Sequence, residues 1–163
     1  MTPRPGEAAS EIPRELKLDL PAVHSGARLA RHLIRPFARS NGVTGRSLDS
    51  LLLVAEELLT NAVDHGGGHA AADENELSEP VRMSMKLTIS RGSWEIRVAD
   101  QGGGDPSVLA KVLHPDHVPD LDDERGRGFF LLSRMVHKLS VEKSDDGRGI
   151  QIIAVQRHGE REH

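Results

Sequence analysis

The chain lacks several features that mark particular classes of protein. None of its 163 residues is a cysteine, which excludes disulfide bonds and thiolate sites. It has three phenylalanines, one tryptophan and no tyrosine, so aromatic platforms for the bases of single-stranded nucleic acid are not expected. Its longest apolar run, Leu51–Ala55, is far too short to span a bilayer. The hydrophobic core must therefore be built mainly from aliphatic residues.

An excess of positive charge is also missing. Lys and Arg total 21 against 25 Asp and Glu, a net charge of −4, which argues against nucleic-acid binding driven by overall charge. The first residues, Met1–Gly6, lack the apolar core of a signal peptide. We therefore expect a cytoplasmic protein that binds neither a membrane nor nucleic acid directly.

Two common phosphate-binding sequences are absent as well. The chain contains neither GxxxxGK[ST] nor a GxGxxG that directly follows a predicted strand. If the protein binds a nucleotide, it must do so with a different architecture.

The spacing of hydrophobic residues predicts one domain over residues 16–157, a flexible N-terminal arm over 1–15 and a C-terminal tail over 158–163. Alternation predicts strands over 16–20, 81–90, 94–99, 139–142 and 150–156, and helical periodicity predicts helices over 22–40, 48–65 and 129–138. Tight turns between adjacent strands favour an α/β (α+β) fold, namely a two-layer sandwich whose mixed, mostly antiparallel sheet carries helices on one face.

Three features modify this pattern. Pro36 lies inside the first predicted helix and should kink or break its last turn. Residues 69–80 are acidic, rich in alanine and aperiodic, which predicts an insertion. Residues 101–127 predict a long loop with a short helix near 107–113, and loops of that length are usually functional lids or disordered.

The first candidate site motif lies on the second predicted helix. Glu57 and Asn61 are one turn apart and share a helix face. The amide oxygen of Asn61 is a hard ligand of the kind that Mg²⁺ prefers, and the carboxylate one turn earlier could deprotonate an attacking hydroxyl. Taken alone, the pair also fits a solvated helix face opposite the apolar stripe. Leu53 and Val54 flank that face, however, which indicates that something covers it.

Two glycine motifs follow later in the chain. Asp100–Gly104 comes after a cleanly alternating strand, where a carboxylate can accept a hydrogen bond from the exocyclic amine of adenine and glycines permit close backbone approach. Gly126–Gly128 precedes an apolar helix, whose free N–H groups and dipole attract anions, and Arg125 and Arg127 add positive charge. Each motif alone also fits an ordinary turn. Their order along the chain makes nucleotide binding the leading hypothesis.

With these motifs in this order, the sequence resembles the histidine-kinase-like ATPase superfamily (Bergerat fold), and within it the bacterial anti-sigma factors that act as serine-protein kinases. The resemblance covers residues 16–157 and implies ATP and Mg²⁺ as cofactors, with the stretch between the two glycine motifs as the ATP lid. It implies that Glu57 is the catalytic base, that Asn61 binds Mg²⁺ and that Asp100 reads adenine. The other implied cofactor-binding residues are Gly102, Gly104, Arg125, Gly126, Arg127 and Gly128.

The sequence departs from this family in two places. The family often has a Gly-Thr pair entering the last strand, whereas this chain has Gly149-Ile150, which bears on nucleotide affinity. The insertion at 69–80 is also longer than the family pattern leads us to expect.

Charged residues outside the three motifs have weaker interpretations. The first helix carries a basic stripe in a region that contributes to partner contacts in the resembling family, although a solvated face has the same pattern: Arg28, Arg31, Arg35 and Arg39. His65 and His69 straddle three glycines, and His114 and His117 lie in the long loop, so we expect no transition-metal site.

The resulting prediction is an ATP-binding anti-sigma factor that phosphorylates a serine of an anti-sigma factor antagonist and also sequesters a sigma factor. The resemblance implies a homodimer. One alternative is a non-catalytic ATP-binding regulatory module that sequesters a protein partner. Another is a detached histidine-kinase catalytic domain, which is less favoured because no further helical hairpin with a phospho-accepting histidine is predicted.

Overall fold

The computed structural model describes residues 12–65, 81–102, 106–112, 124–145, 147 and 149–157. Residues 1–11 of the expected arm, the insertion at 69–80 and the tail at 158–163 lie outside the described residues. The strands are β1 (Arg14–Pro21), β2 (Arg82–Ser90), β3 (Ser93–Ala99), β4 (Lys138–Lys143) and β5 (Ile150–Arg157). The helices are α1 (His24–Ser40), α2 (Gly45–His65), α3 (Pro106–Val112) and α4 (Glu124–Met135).

The strands form one sheet in the order β1-β2-β3-β5-β4. Every pairing in it is antiparallel, so the expected mixed sheet is antiparallel throughout the described strands. The turn between β2 and β3 has two residues, and Gly92 there adopts a φ of 74°, which suits a tight hairpin. Because β5 enters between β3 and β4, the end of β3 meets the start of β5, and this junction is part of the candidate site.

Alternation along the strands gives the sheet one apolar face and one charged face. On the apolar face, Leu87 of β2 is paired with Leu16 and Ile96. On the other face, Lys86 is paired with Lys17 and Arg97. Helices α1, α2 and α4 contribute buried residues to a single core on the apolar face, which confirms the two-layer sandwich.

Helix α2 is the central element of the helical layer. Its residues Leu51, Leu58 and Leu59 are fully buried, and the helix packs on β2 and β3. Truncating one such leucine to alanine typically costs about 2–5 kcal/mol. Polar side chains elsewhere on α2 are therefore held by a rigid support.

Helix α1 runs through Pro36 and ends at Ser40, so of the kink or break expected there, the break does not occur. Pro36 is exposed and removes one backbone donor, while the buried Ala38 secures the last turn. The Nδ2 of Asn41 donates to the Phe37 carbonyl at 2.8 Å. Gly42, with a φ of 86°, then follows the end of the helix in the left-handed conformation that glycine favours.

Helix α4 begins at Glu124 rather than at the predicted Phe129, and it ends at Met135. Gly126 and Gly128 therefore lie inside the helix instead of forming a turn before it. Each internal glycine costs roughly 1 kcal/mol relative to alanine. The buried Phe129 offsets this cost because a fully buried large apolar side chain contributes about 1.5–3 kcal/mol.

Candidate functional site

Asn61 is placed by α2 in a buried position, with 8% of its surface exposed. The solvated face that remained open from the sequence is therefore wrong for this residue. Its Oδ1 atom is buried and has no hydrogen-bond partner among the described residues. A buried oxygen left in that state costs about 1–3 kcal/mol. A hard cation such as Mg²⁺ would satisfy this oxygen, so the residue fits the ligand role implied for it.

Glu57 lies one turn earlier on α2 and remains exposed. Partial burial, together with repulsion from the neighbouring Glu56 carboxylate, raises the pKa of Glu57 above its ordinary value. Glu56 itself is paired with Arg31 of α1 at 3.1 Å. Within the described part of the chain, Glu57 has no ion-pair partner of this kind. A carboxylate with a raised pKa is a stronger proton acceptor once it is ionised.

Helix α4 meets α2 at the carboxylate of Glu57. A Cβ atom built on Gly128 would lie 3.0 Å from Oε2 of Glu57, closer than an ordinary van der Waals contact. The structure thus brings together the first and the third sequence motif. The backbone of α4 therefore lies beside the exposed Glu57 carboxylate on one side.

Asp100 follows the last residue of β3 and is buried. Its Oδ1 atom accepts hydrogen bonds from the N–H groups of Gly102 at 3.0 Å and Ile150 at 3.4 Å. Its own N–H donates to the carbonyl of Ile150 at 3.0 Å. Two backbone donors thus hold Oδ1 of Asp100 in place, as a residue that reads a ligand by hydrogen bonding requires.

Gly149 is a residue of this site whose positioning role the sequence interpretation missed. A Cβ atom at Gly149 would overlap both the backbone carbonyl and the Oδ1 atom of Asp100. The N–H of Gly149 donates to Oγ of the buried Ser144 at 3.2 Å. A signal was available, because a glycine at the edge of a strand often marks a close approach of two backbones. Ile150, which follows it, is buried in the core.

The remaining predicted residues are only partly described. Gly104 lies outside the described residues, as do the side chains of Arg125 and Arg127. The backbone of Gly126 belongs to the first turn of α4. The described residues include no group of three His, Asp or Glu side chains that could hold a metal ion.

A cavity of about 280 Å³ reaches Asp100 from the charged face of the sheet, with Asp19, Ser84 and Gln151 in its lining. Glu57 and Asn61 do not line it. We therefore do not assign the nucleotide to this cavity.

Within the described ranges, no helix is long and apolar enough to cross a membrane.

The antiparallel two-layer sandwich is accompanied by a family match. Residues 20–154 match the family of histidine kinase-like ATPase domains, and the chain belongs to that family.

Two solved structures show the same fold. One contains the RsbU and RsbW domains of Rv1364c from Mycobacterium tuberculosis, with a TM-score of 0.54 and 17% sequence identity over 88% of this chain. This chain spans 32% of that one. The other is the SiaB–SiaC complex from Pseudomonas aeruginosa, with a TM-score of 0.63, 14% identity and coverage of 86% of this chain and 89% of that chain. Among curated proteins, none matches the sequence significantly.

Proposed function

We propose that this protein is an ATP-binding anti-sigma factor that phosphorylates a serine of an antagonist protein. The observation that carries the proposal is on α2, where the buried Oδ1 of Asn61 lacks a described partner one turn away from the Glu57 carboxylate. Membership of the ATPase family supports nucleotide binding. The similarity to the RsbU–RsbW structure and to the SiaB–SiaC complex supports the fold, and the anti-sigma and kinase part of the proposal rests on the resemblance of the three motifs.

Each residue then has a chemical task. Asn61 would hold Mg²⁺, which supplies charge neutralisation at the phosphates when it is bound. Asp100 would accept a hydrogen bond from the adenine amine. The first turn of α4, whose N–H groups have no acceptor within the helix and whose sequence includes Arg125 and Arg127, would face the phosphates.

Glu57 would act on the attacking serine. Its carboxylate would accept the hydroxyl proton while the serine oxygen forms a bond to the γ-phosphorus and the bond from that phosphorus to the leaving oxygen of ADP breaks. The products are ADP, a phosphoserine and a protonated Glu57. A general base works best when its pKa lies near the working pH. The pKa of Glu57 is shifted in that direction, which suits this task.

The partners belong to the same proposal. Helix α1 exposes Arg28, Arg35 and Arg39, a surface suited to an acidic protein and to association that weakens as salt rises. We expect an antagonist and a sigma factor as partners, a homodimer in solution and a cytoplasmic location. Co-purification of the tagged protein from its native cells would identify the partners.

The deciding experiment is phosphoryl transfer. The purified protein is incubated with Mg²⁺, γ-labelled ATP and the co-purified antagonist, and phosphoserine is located by mass spectrometry. We expect label on the antagonist with the wild type and none with Glu57→Gln, which should still bind ATP. ATP binding without any labelled antagonist would overturn the kinase proposal and leave a non-catalytic regulatory module.

A further inference from the structure

Gly128 occupies an unfavourable position for a glycine. It is the fifth residue of α4, inside the helix, where glycine costs roughly 1 kcal/mol relative to alanine. Its φ is not positive, so the backbone conformation does not require glycine there. Some other constraint must explain why this helix carries no side chain at that point.

The constraint visible in the structure is the Glu57 carboxylate. A Cβ on Gly128 would meet Oε2 of Glu57 at 3.0 Å, and within the described residues outside α4 itself no other atom lies within 4 Å of it. The neighbour is the end of a flexible, exposed side chain rather than a backbone atom. A methyl group at Gly128 would therefore move the carboxylate by a few tenths of an ångström without disturbing the fold.

The helix itself cannot retreat as easily as the carboxylate can. Phe129 and Leu132 of α4 are buried in the core directly after Gly128, with 3% and 1% of their surfaces exposed. They hold α4 against α2 at a fixed distance. The backbone at Gly128 is therefore held in place. A side chain added there would displace the Glu57 carboxylate rather than the helix.

We propose that Gly128 is a positioning residue for Glu57, and that its missing side chain sets where the carboxylate lies relative to the serine it deprotonates. The proposal rests on the proposed function, because it takes Glu57 as the base. Gly128 would thus position the base, Glu57, in addition to any contact that it makes with the phosphates.

The size of the effect follows from geometry. Misplacing a catalytic group by about 1 Å can cost a factor of roughly 100 in rate, so a smaller shift should cost about tenfold. For Gly128→Ala we expect kcat for phosphoryl transfer to fall about tenfold, with a much smaller change in the KM for ATP. The melting temperature should not fall, because alanine is the better helix former.

The matched control is Ser133→Ala on the same helix. Ser133 is exposed and its Oγ donates to the Phe130 carbonyl, away from Glu57. This variant should keep the wild-type kcat. Gly128→Ser serves as a second variant in case Gly128→Ala does not fold, and it should also lower kcat.

A double-mutant cycle tests whether the effect runs through Glu57. Glu57→Asp withdraws the carboxylate by one methylene and removes the conflict with a side chain at residue 128. We expect Gly128→Ala to lower kcat about tenfold in the wild type and much less in the Glu57→Asp background. Equal factors in both backgrounds, or a fall in ATP affinity alone, would overturn the proposal.

A measurement without catalysis separates this proposal from the proposed function. The carboxyl ¹³C resonance of Glu57, assigned by its loss in Glu57→Gln, should move in Gly128→Ala and stay in place in Ser133→Ala. An unmoved resonance would refute the positioning role even if the protein is a kinase. A moved resonance in a protein that transfers no phosphate would uphold the contact and refute the kinase.

Discussion

Four polar side chains in the described part of the chain are buried, and they differ in how their hydrogen bonds are satisfied: Asn61, Asp100, Ser144 and Gln151. Ser144 accepts the Gly149 N–H, Gln151 donates to Glu142 at 2.9 Å, and Asp100 accepts two backbone donors. Among these four, only Asn61 has a buried side-chain oxygen without a described partner, and outside this group Oγ of Ser47 and Nε1 of Trp94 are in the same state. Such an atom disfavours folding, and for Asn61 the proposed function accounts for it by a bound cation.

Replacing Asn61 by leucine, which has nearly the same shape, tests this explanation. We expect Asn61→Leu to lose the Mg²⁺-dependent part of ATP binding and to unfold at an equal or higher temperature, because an unpaired buried oxygen is removed. Calorimetric titration with and without Mg²⁺ and thermal unfolding would measure both effects. Asn41→Leu is the control: it removes the hydrogen bond to Phe37 and should lower stability by about 1 kcal/mol. A variant at Asn61 that keeps the Mg²⁺ effect would contradict the assignment.

The raised pKa of Glu57 predicts a pH-dependent effect on stability. A carboxyl whose pKa is higher in the folded than in the unfolded state favours folding when protonated and opposes it when ionised. Glu57→Gln should therefore raise the melting temperature at pH 7, and the gain should vanish below the ordinary pKa of 4.5. Melting curves at pH 7 and pH 4 provide the measurement.

The control for this prediction is the adjacent residue. Glu56→Gln removes both the ion pair with Arg31 and the repulsion of Glu57; because these two effects oppose each other, the gain in melting temperature at pH 7 should be smaller than for Glu57→Gln. If Glu57→Gln were less stable than the wild type at neutral pH, a structural role for the carboxylate would replace the catalytic one.

At the level of helices and strands, local periodicity predicted which elements exist, and the errors fall at their ends. The stripe from Leu48 to Ala62 gave α2, and alternation from Trp94 to Val98 gave β3. The start of α4 was misplaced because two glycines suggested a turn, while the packing of Phe129 extends the helix back over them. Pro36 was expected to kink or break the last turn of α1; the helix does not break there, because tertiary packing of the last turn outweighs one missing hydrogen bond.

The connection between β4 and β5 places Gly149 beside Asp100, and replacing this glycine tests that placement. Gly149→Ala should force Asp100 out of position and reduce ATP affinity by at least tenfold, because the methyl group would overlap backbone as well as side-chain atoms. Gly147→Ala in the same connection is the matched control. Gly147 has a φ of 74° and open space around it, so its variant should lose about 1 kcal/mol of stability and keep its ATP affinity. Equal affinities for both variants would argue against Asp100 as the adenine reader.

For the whole molecule, the order of the three motifs was enough to predict nucleotide binding, and the two contacts that assemble the site were not predictable. Gly128 against Glu57 and Gly149 against Asp100 each join residues about 50 or more positions apart. Periodicity reports only which face of its own element a residue occupies. The entry of β5 between β3 and β4 is equally invisible to local pattern, although it is what carries Gly149 to Asp100.

The position of Trp94 allows its fluorescence to report on folding without an added label. This single tryptophan is fully buried near the start of β3, and Asp100 follows the other end of that strand, roughly 20 Å away at about 3.3 Å per residue. Its emission should shift to longer wavelength when the chain unfolds and stay unchanged when ATP and Mg²⁺ are added. Fluorescence during denaturation would then record folding without interference from the nucleotide. A spectral change on ATP addition alone would show that the core, and not just the site, responds to the ligand.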